Sequence, residues 1–370
     1  MKISYNWLRE HVPLDLQVEE LCRVLLSLGF EVASVEKKGP SFRGVVTAKI
    51  LEVAKHPNAD RLSLCMVDDG AQKFSVVCGA KNVAPGLTVA LARVGAELPG
   101  GRKLTPAKIR GVDSQGMLCS SAELGLAGDD AGILVLSPET PVGQDYASSL
   151  GPGDDILDVD ITPNRPDCLS HRGLARELAA FFKAHLKSLS STPLPAPSGD
   201  CPPISIDAPQ GCSQYVGRLL TGLKIGPSPA WLASKLEAVG LRPINNVVDV
   251  TNYILMDIGQ PLHAFSTDRL AGPEIHVRFA RPGETLKALD EKEYKLSGDC
   301  LIIADAAKPV AIAGVMGGLD SAVTTKTTSI LLESAHFSPV VVRKGSQTLK
   351  LKSDASYRFE RGTDPGAVAA

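Results

Sequence analysis

The chain has 370 residues, 44% of them hydrophobic and 22% charged, with 39 Lys and Arg against 41 Asp and Glu for a formal net charge of -2. That length exceeds what one hydrophobic core usually supports and predicts two or three domains. The near-neutral charge excludes a globally basic nucleic-acid binder, so any RNA contact has to come from a local patch. Aromatic residues make up only 5%, which leaves few stacking platforms for single strands. The eight cysteines are scattered, without a Cys-x-x-Cys pair or a His cluster at zinc spacing. They point to reduced thiols and no protein-held metal. The N-terminus lacks the apolar stretch of a signal peptide, and no apolar run approaches the ~18 residues of a membrane span. The expected compartment is the cytoplasm, with no membrane and no DNA as partner.

In chain order, Val18, Leu21, Leu25 and Leu28 recur on one face and predict a helix stopped by Gly29, followed by a strand over 30–35. Helical periodicity then disappears for roughly a hundred residues. Strands are expected at 45–53, 62–67, 74–78 and 88–92, separated by Asp68-Asp69-Gly70, Pro85-Gly86 and Pro99-Gly100-Gly101. Short strands at such intervals predict a small closed barrel. A strand over 156–161 and a helix from Ser170, with Leu174, Leu178 and Phe181 inward, resume the first pattern, so the barrel reads as an insertion. Residues 191–203 form a Pro-rich linker, since proline and small polar residues enter neither a helix interior nor a sheet core. Beyond it, Ser228-Pro229 is expected to cap and open a helix with Leu232, Leu236 and Val239 inward and Gly240 as its stop. Strands follow near 275–279, 300–304 and 309–313. The fold class is α+β and multidomain. An N-terminal α+β domain made of 1–39 and 152–190 holds the inserted barrel at 40–151, and a mixed α+β domain covers 204–370.

The run Leu241–Phe265 sets Arg242, Asn245, Asn246, Asp249, Thr251, Asn252, Gln260 and His263 around an apolar, helix-like stretch. That is more hydrogen-bonding chemistry than a solvated face or a packed core needs, and it predicts a polar pocket. In the barrel segment, Arg93, Arg102, Lys103, Lys108 and Arg110 form a locally basic stretch with Glu97 as the only acid between them. Such a stretch either meets phosphates on the face of a small barrel or is a solvated loop region, and charge alone does not choose. His56, beside Pro57 and Asn58, reads as a turn-structuring residue. No Gly-x-Ser-x-Gly elbow and no Cys-His setting is present, so no nucleophile with a paired base is evident.

The ordered text His56-Pro57-Asn58-Ala59-Asp60-Arg61-Leu62, Val77-Cys78-Gly79-Ala80-Lys81-Asn82-Val83 and Arg110 through Ser120 resembles the tRNA-binding module of the oligonucleotide-binding (OB) barrel type. Its flanks widen the resemblance. Lys2-Ile3-Ser4-Tyr5-Asn6-Trp7-Leu8, the segment Asp160-Ile161-Thr162-Pro163-Asn164-Arg165-Pro166, the run Leu241–Phe265 and Ser353-Asp354-Ala355-Ser356-Tyr357-Arg358-Phe359-Glu360-Arg361-Gly362 occur in that order in the β subunit of bacterial phenylalanyl-tRNA synthetases. The resemblance covers essentially the whole chain and implies an N-terminal part of such a subunit.

What the resemblance implies is a tRNA-binding barrel followed by an editing domain that hydrolyses tyrosine wrongly attached to phenylalanine tRNA. An apolar pocket rejects an added hydroxyl by only about a hundredfold, so a second site that selects for it is needed. By the same resemblance, His263, Thr251 and Asn252 would orient an attacking water. Glu333 would read the tyrosine hydroxyl, Arg242 would hold the tRNA 3′ end, and Pro261, Gly314, Ser353 and Ala355 would complete the pocket wall. Arg93, Arg102, Lys103, Lys108 and Arg110 would meet RNA. Asp249 and Asn246 are expected to be framework. The expected partners are phenylalanine tRNA and a synthetase α subunit, in an α2β2 heterotetramer. No cofactor is expected in this part, while ATP and Mg2+ would serve the holoenzyme through the α subunit. The alternatives are a non-catalytic tRNA-binding scaffold and a free-standing deacylase.

Overall fold

The computed structural model describes residues 1–126, 131–151, 153–189, 199, 201–272 and 274–369. Of the expected linker at 191–203, only Gly199 and 201–203 are among them. The chain divides into two compact units, one made of Met1–Glu36 with Asp155–Ala370 and the other of Lys37–Asp154.

The second unit is built on antiparallel strands in the order Gly116–Leu118, Thr88–Leu98, Arg43–Lys55, Ser63–Asp68 and Lys73–Cys78, with Arg102–Lys103 pairing a further stretch of Thr88–Leu98. Alternate residues of these strands point inward, and Ile50, Cys65, Val67, Val76, Val89 and Leu91 form the core. Gln115 joins the sheet's outer strand, exchanging bonds with Ser75 through its amide N–H and its side-chain oxygen. His56 does structure a turn: its Nδ1 accepts from the Asn58 amide at 3.1 Å and its Nε2 lies 3.2 Å from the Ile109 carbonyl.

The first unit contains a three-stranded sheet, Lys2–Ser4, Asp154–Asp160 and Glu31–Lys38, covered by the helices Tyr5–His11, Val18–Ser27 and His171–Phe182. The helix Val18–Ser27 buries Val18, Leu21 and Leu25 as its spacing predicts, and Gly29 (φ 89°) ends it in a conformation that glycine adopts freely. One helical expectation fails. Phe181 falls in register with Leu174 and Leu178, yet it is 49% exposed because it lies in the last turn, where it packs edge-on against Phe182.

Two further sheets complete this unit. In one, Ser329–Phe337 is the central strand, flanked antiparallel by Cys212–Thr221 and Leu262–Ser266. In the other, Ile204–Ile206 runs parallel to Ile275–Phe279, and Leu301–Ala304, Pro309–Ile312 and Met316–Gly317 follow antiparallel. Their shared core includes Phe265, Ile275, Ile303, Ile312, Leu331, Ala335 and Phe337.

The helix Ala230–Ala238 buries Leu232 and Leu236, but Ser228 does not cap it. The Ser228 hydroxyl instead donates to Asp249 Oδ2 at 2.5 Å, because a buried carboxylate there needs donors more than an exposed helix end does. Among the described residues, no helix is long and apolar enough to cross a membrane.

Candidate functional site

The helix Asn246–Ile258 positions the first part of the site. Its start is fixed by Asn245, whose side-chain oxygen accepts from the Val247 and Val248 amides at 3.1 and 3.0 Å, and Gly259 ends it at φ 84°. Asp249 is fully buried and accepts from the Ile244 amide and the Ser228 hydroxyl, while Asn246 ties the helix to Lys224 and Gly226. Both are framework, as expected. On the opposite side, Trp7 stacks between His171 and Tyr253 and donates to Asp257 at 2.7 Å. The helix is therefore clamped at both ends, and Thr251, Asn252 and Leu255 are left facing a cavity of about 450 Å3.

Pro261, His263, Gly314, Glu333, Ser353 and Ala355 line the same cavity. Eight candidate residues from four separate chain segments thus converge. Arg242 does not: it is exposed, three residues before the helix cap, and does not line the cavity.

Glu333 occupies the core-facing side of its strand, on the same face as Leu331 and Ala335. Burial therefore pushes its carboxyl up to about 7, against the lowering pull of a hydrogen bond from Tyr215, whose hydroxyl donates to Oε2 at 2.7 Å. His263 is the direct register partner of Glu333 on the neighbouring strand. Its Nε2 is covered and has no hydrogen-bond partner among the described residues. Its ring rests edge-on against Phe265 at 4.6 Å, and burial lowers its pKa to about 4, so the imidazole is neutral at pH 7.

The hydroxyls at the site are less free than their positions suggest. Thr251 donates to the Val248 carbonyl at 2.7 Å, which leaves its oxygen able to accept but not to donate. Ser353 caps the helix Asp354–Phe359 by accepting from the Ser356 amide, and its own proton goes to the Val315 carbonyl at 2.7 Å. Ser353 is a wall residue whose hydroxyl is already used. The side-chain amide of Asn252, on the cavity wall, carries no hydrogen bond among the described residues.

The glycine-rich turn acts by close approach. Gly314 (φ 68°) lies against Phe337, Val342 and Phe359, and a Cβ at Gly317 would stand 2.3 Å from His263 Cε1. Two contributors were not singled out in the sequence. Tyr215 acts through a neighbour brought by long-range strand pairing, which no local pattern reveals. Asp290, also on the cavity wall, is held well ionised by the hydroxyl of Tyr294.

In the other unit the five basic candidates do not form one free patch. Arg93 is ion-paired with the buried Asp69, and Lys103 lies 3.1 Å from Glu97. Arg93 and Lys108 border a common hollow of about 660 Å3, whereas Arg102, Lys103 and Arg110 stand outside it, all three exposed.

A protein-family model of the B3/4 domain matches residues 211–370, and one of a tRNA binding domain matches residues 45–145. Phenylalanine–tRNA ligase β subunits are similar along the entire chain. That of Anaeromyxobacter dehalogenans is 51% identical over 371 residues, covering 100% of this chain and 46% of the relative. That of Syntrophus aciditrophicus is 46% identical over 370 residues with the same coverage, and that of Moorella thermoacetica is 48% identical over 383 residues, covering 100% and 47%. The chain spans about half the length of these relatives. It has the sequence and the domain make-up, tRNA-binding and B3/4, of the N-terminal portion of a phenylalanine–tRNA ligase β subunit.

Proposed function

We propose that the cavity hydrolyses the ester joining tyrosine to phenylalanine tRNA, removing mischarged product. The observation that carries this is a carboxylate buried across from a neutral, unpartnered imidazole in a cavity of about 450 Å3, a volume within the range of small-molecule sites. Glu333 accepts the phenolic hydrogen of the substrate, a hydrogen bond that phenylalanine cannot make. Asn252 and the lone pairs of Thr251 hold a water against the ester carbonyl, and His263 Nε2 supplies the remaining polar contact. The water adds to the carbonyl carbon, the bond to the ribose oxygen breaks, and that oxygen leaves with a proton. With the Ser353 hydroxyl engaged and no cysteine among the described residues of the cavity wall, direct attack by water fits better than a covalent intermediate.

The rest of the assignment follows the relatives. The unit Lys37–Asp154 closes into an OB-type barrel and binds tRNA, with Lys108, Arg110 and Arg102 more available than the paired Arg93 and Lys103; Arg242 contacts the tRNA 3′ end outside the cavity. The ATP- and Mg2+-dependent ligation belongs to a partner α subunit in a cytoplasmic α2β2 assembly. An open cavity favours hydrolysis over a purely organising scaffold, in which the same residues would be packed shut. The test is deacylation of tyrosyl-tRNA by Glu333→Ala and His263→Ala: both rates are expected to fall at least tenfold, and wild-type rates in both variants contradict the reading.

A further inference from the structure

A second cavity, of about 800 Å3, borders the hydrolytic one and is basic. Arg343, Gln347 and Lys350 repeat at helical spacing along Pro339–Leu349 and its C-cap and so share one face. Lys350 turns the chain in a left-handed conformation, and Lys352 reaches the same cavity from beyond the turn. Arg361 approaches from the end of the helix Asp354–Phe359, stacked on Tyr357 and paired with Glu360, with its Nε covered and without a hydrogen-bond partner among the described residues. Four cations thus face one carboxylate, in a chain that has two more acids than bases. The side chains of Arg343, Lys350 and Lys352 are exposed and carry no ion pair among the described residues, whereas the next cation on the helix, Lys344, is bound to Asp299 at 2.8 Å.

The two cavities share a wall. Lys352 directly precedes Ser353, and Glu360 directly follows Phe359; Ser353 and Phe359 both line the hydrolytic cavity. We infer that the basic cavity holds the phosphodiester backbone of the RNA strand that leads into the 3′ terminus delivered to Glu333 and His263. The direction of the strand rests on the proposed hydrolysis; the binding itself does not. Guanidinium and ammonium groups suit phosphate oxygens, and among the described residues no aromatic side chain lines the cavity to stack on a base. The surface is therefore made to hold a backbone in register and not to read bases.

The test is binding of an acceptor-stem RNA hairpin with a single-stranded CCA end to the full-length natural protein, followed by fluorescence anisotropy across a salt series. The Arg343→Ala/Lys352→Ala variant is expected to raise Kd roughly tenfold near 0.15 M salt and to flatten the slope of log Kd against log salt by about 2. Lys344→Ala and the charge-conserving Arg343→Lys/Lys352→Arg variant stay with the wild type. In deacylation, KM for tyrosyl-tRNA rises in the double alanine variant while kcat holds, and hydrolysis of a tyrosyl ester of adenosine alone is unchanged. An unaltered Kd and slope in the double alanine variant, or no hairpin binding by the wild type, overturns the inference. If hairpin binding follows the expected pattern but no form of the protein deacylates, the RNA surface stands and the hydrolytic reading falls.

Discussion

His263 and Glu333 are direct partners across neighbouring antiparallel strands, so their side chains leave the sheet on the same face, at a spacing where the two can share one ligand. Both are held in uncommon states by the same cause. Removal from water raises the Glu333 carboxyl to about 7 and lowers the His263 imidazole to about 4. Near neutral pH the imidazole therefore carries no charge, and the carboxyl sits close to half-ionised.

This gives a stability signature. Between its ordinary 4.5 and about 7, Glu333 binds more proton in the folded than in the unfolded chain, so its contribution makes stability fall as pH rises through that window. Glu333→Gln removes the titration. Relative to wild type it gains about 3 kcal/mol between pH 4.5 and 7, whatever its offset at pH 4.5. Parallel denaturant-derived stability curves for the two proteins contradict the assignment. His263 acts in the opposite sense, with stability lost as pH falls from 6.5 to about 4, which is why the difference between the two proteins is the useful quantity.

Gly317 is a packing device for the imidazole. Gly317→Ala places a methyl 2.3 Å from His263 Cε1 and 2.6 Å from Nε2, so the ring has to move. A displacement of that order costs about a hundredfold in kcat/KM for tyrosyl-tRNA. Steady-state kinetics at unchanged fold, checked by circular dichroism, provide the measurement; full activity shows that the ring position does not matter.

Tyr215 lies behind Glu333 and donates to Oε2. Removing this hydroxyl takes away the contact that restrains the rise in the carboxyl pKa. Tyr215→Phe is expected to shift the acidic limb of the pH–rate profile for tyrosyl-tRNA upward and to lower kcat/KM at pH 7 by about threefold to tenfold. A profile that does not move argues against Glu333 as the group titrating in that limb.

Ser353 tests the division between wall and chemistry. Its hydroxyl caps a helix and holds the Val315 carbonyl, so Ser353→Ala costs about 1–2 kcal/mol of stability while kcat stays within about twofold. Thermal melts and single-turnover deacylation separate the two. A large loss of kcat without a change in melting returns the hydroxyl to the chemistry.

Local grammar made much of this structure legible. Apolar spacing and a terminal glycine located Val18–Ser27, and the polar run after Leu241 proved to be a capped helix with one face on a cavity. The pairing of strand Leu262–Ser266 with Ser329–Phe337 was not readable, because it joins segments some seventy residues apart and no periodicity encodes which strands meet. For the same reason Tyr215, 118 residues from Glu333, carried no signal. Phe181 and Ser228 show the limit of pattern alone: the first runs past the end of the core its spacing pointed to, and the second is claimed by a buried carboxylate. Motif order reached further than periodicity, bringing His263, Glu333, Thr251 and Asn252 onto one candidate site before any contact was known. It did not show that the Thr251 and Ser353 hydroxyls are already engaged.

The most direct test is the ratio of tyrosyl-tRNA to phenylalanyl-tRNA deacylation in the wild type and in Glu333→Gln. Loss of a charge-assisted hydrogen bond to the phenol predicts a fall of about ten- to a hundredfold in kcat/KM for the tyrosyl ester, with the phenylalanyl rate little changed. An equal fall for both esters, or none, contradicts Glu333 as the group that recognises the hydroxyl.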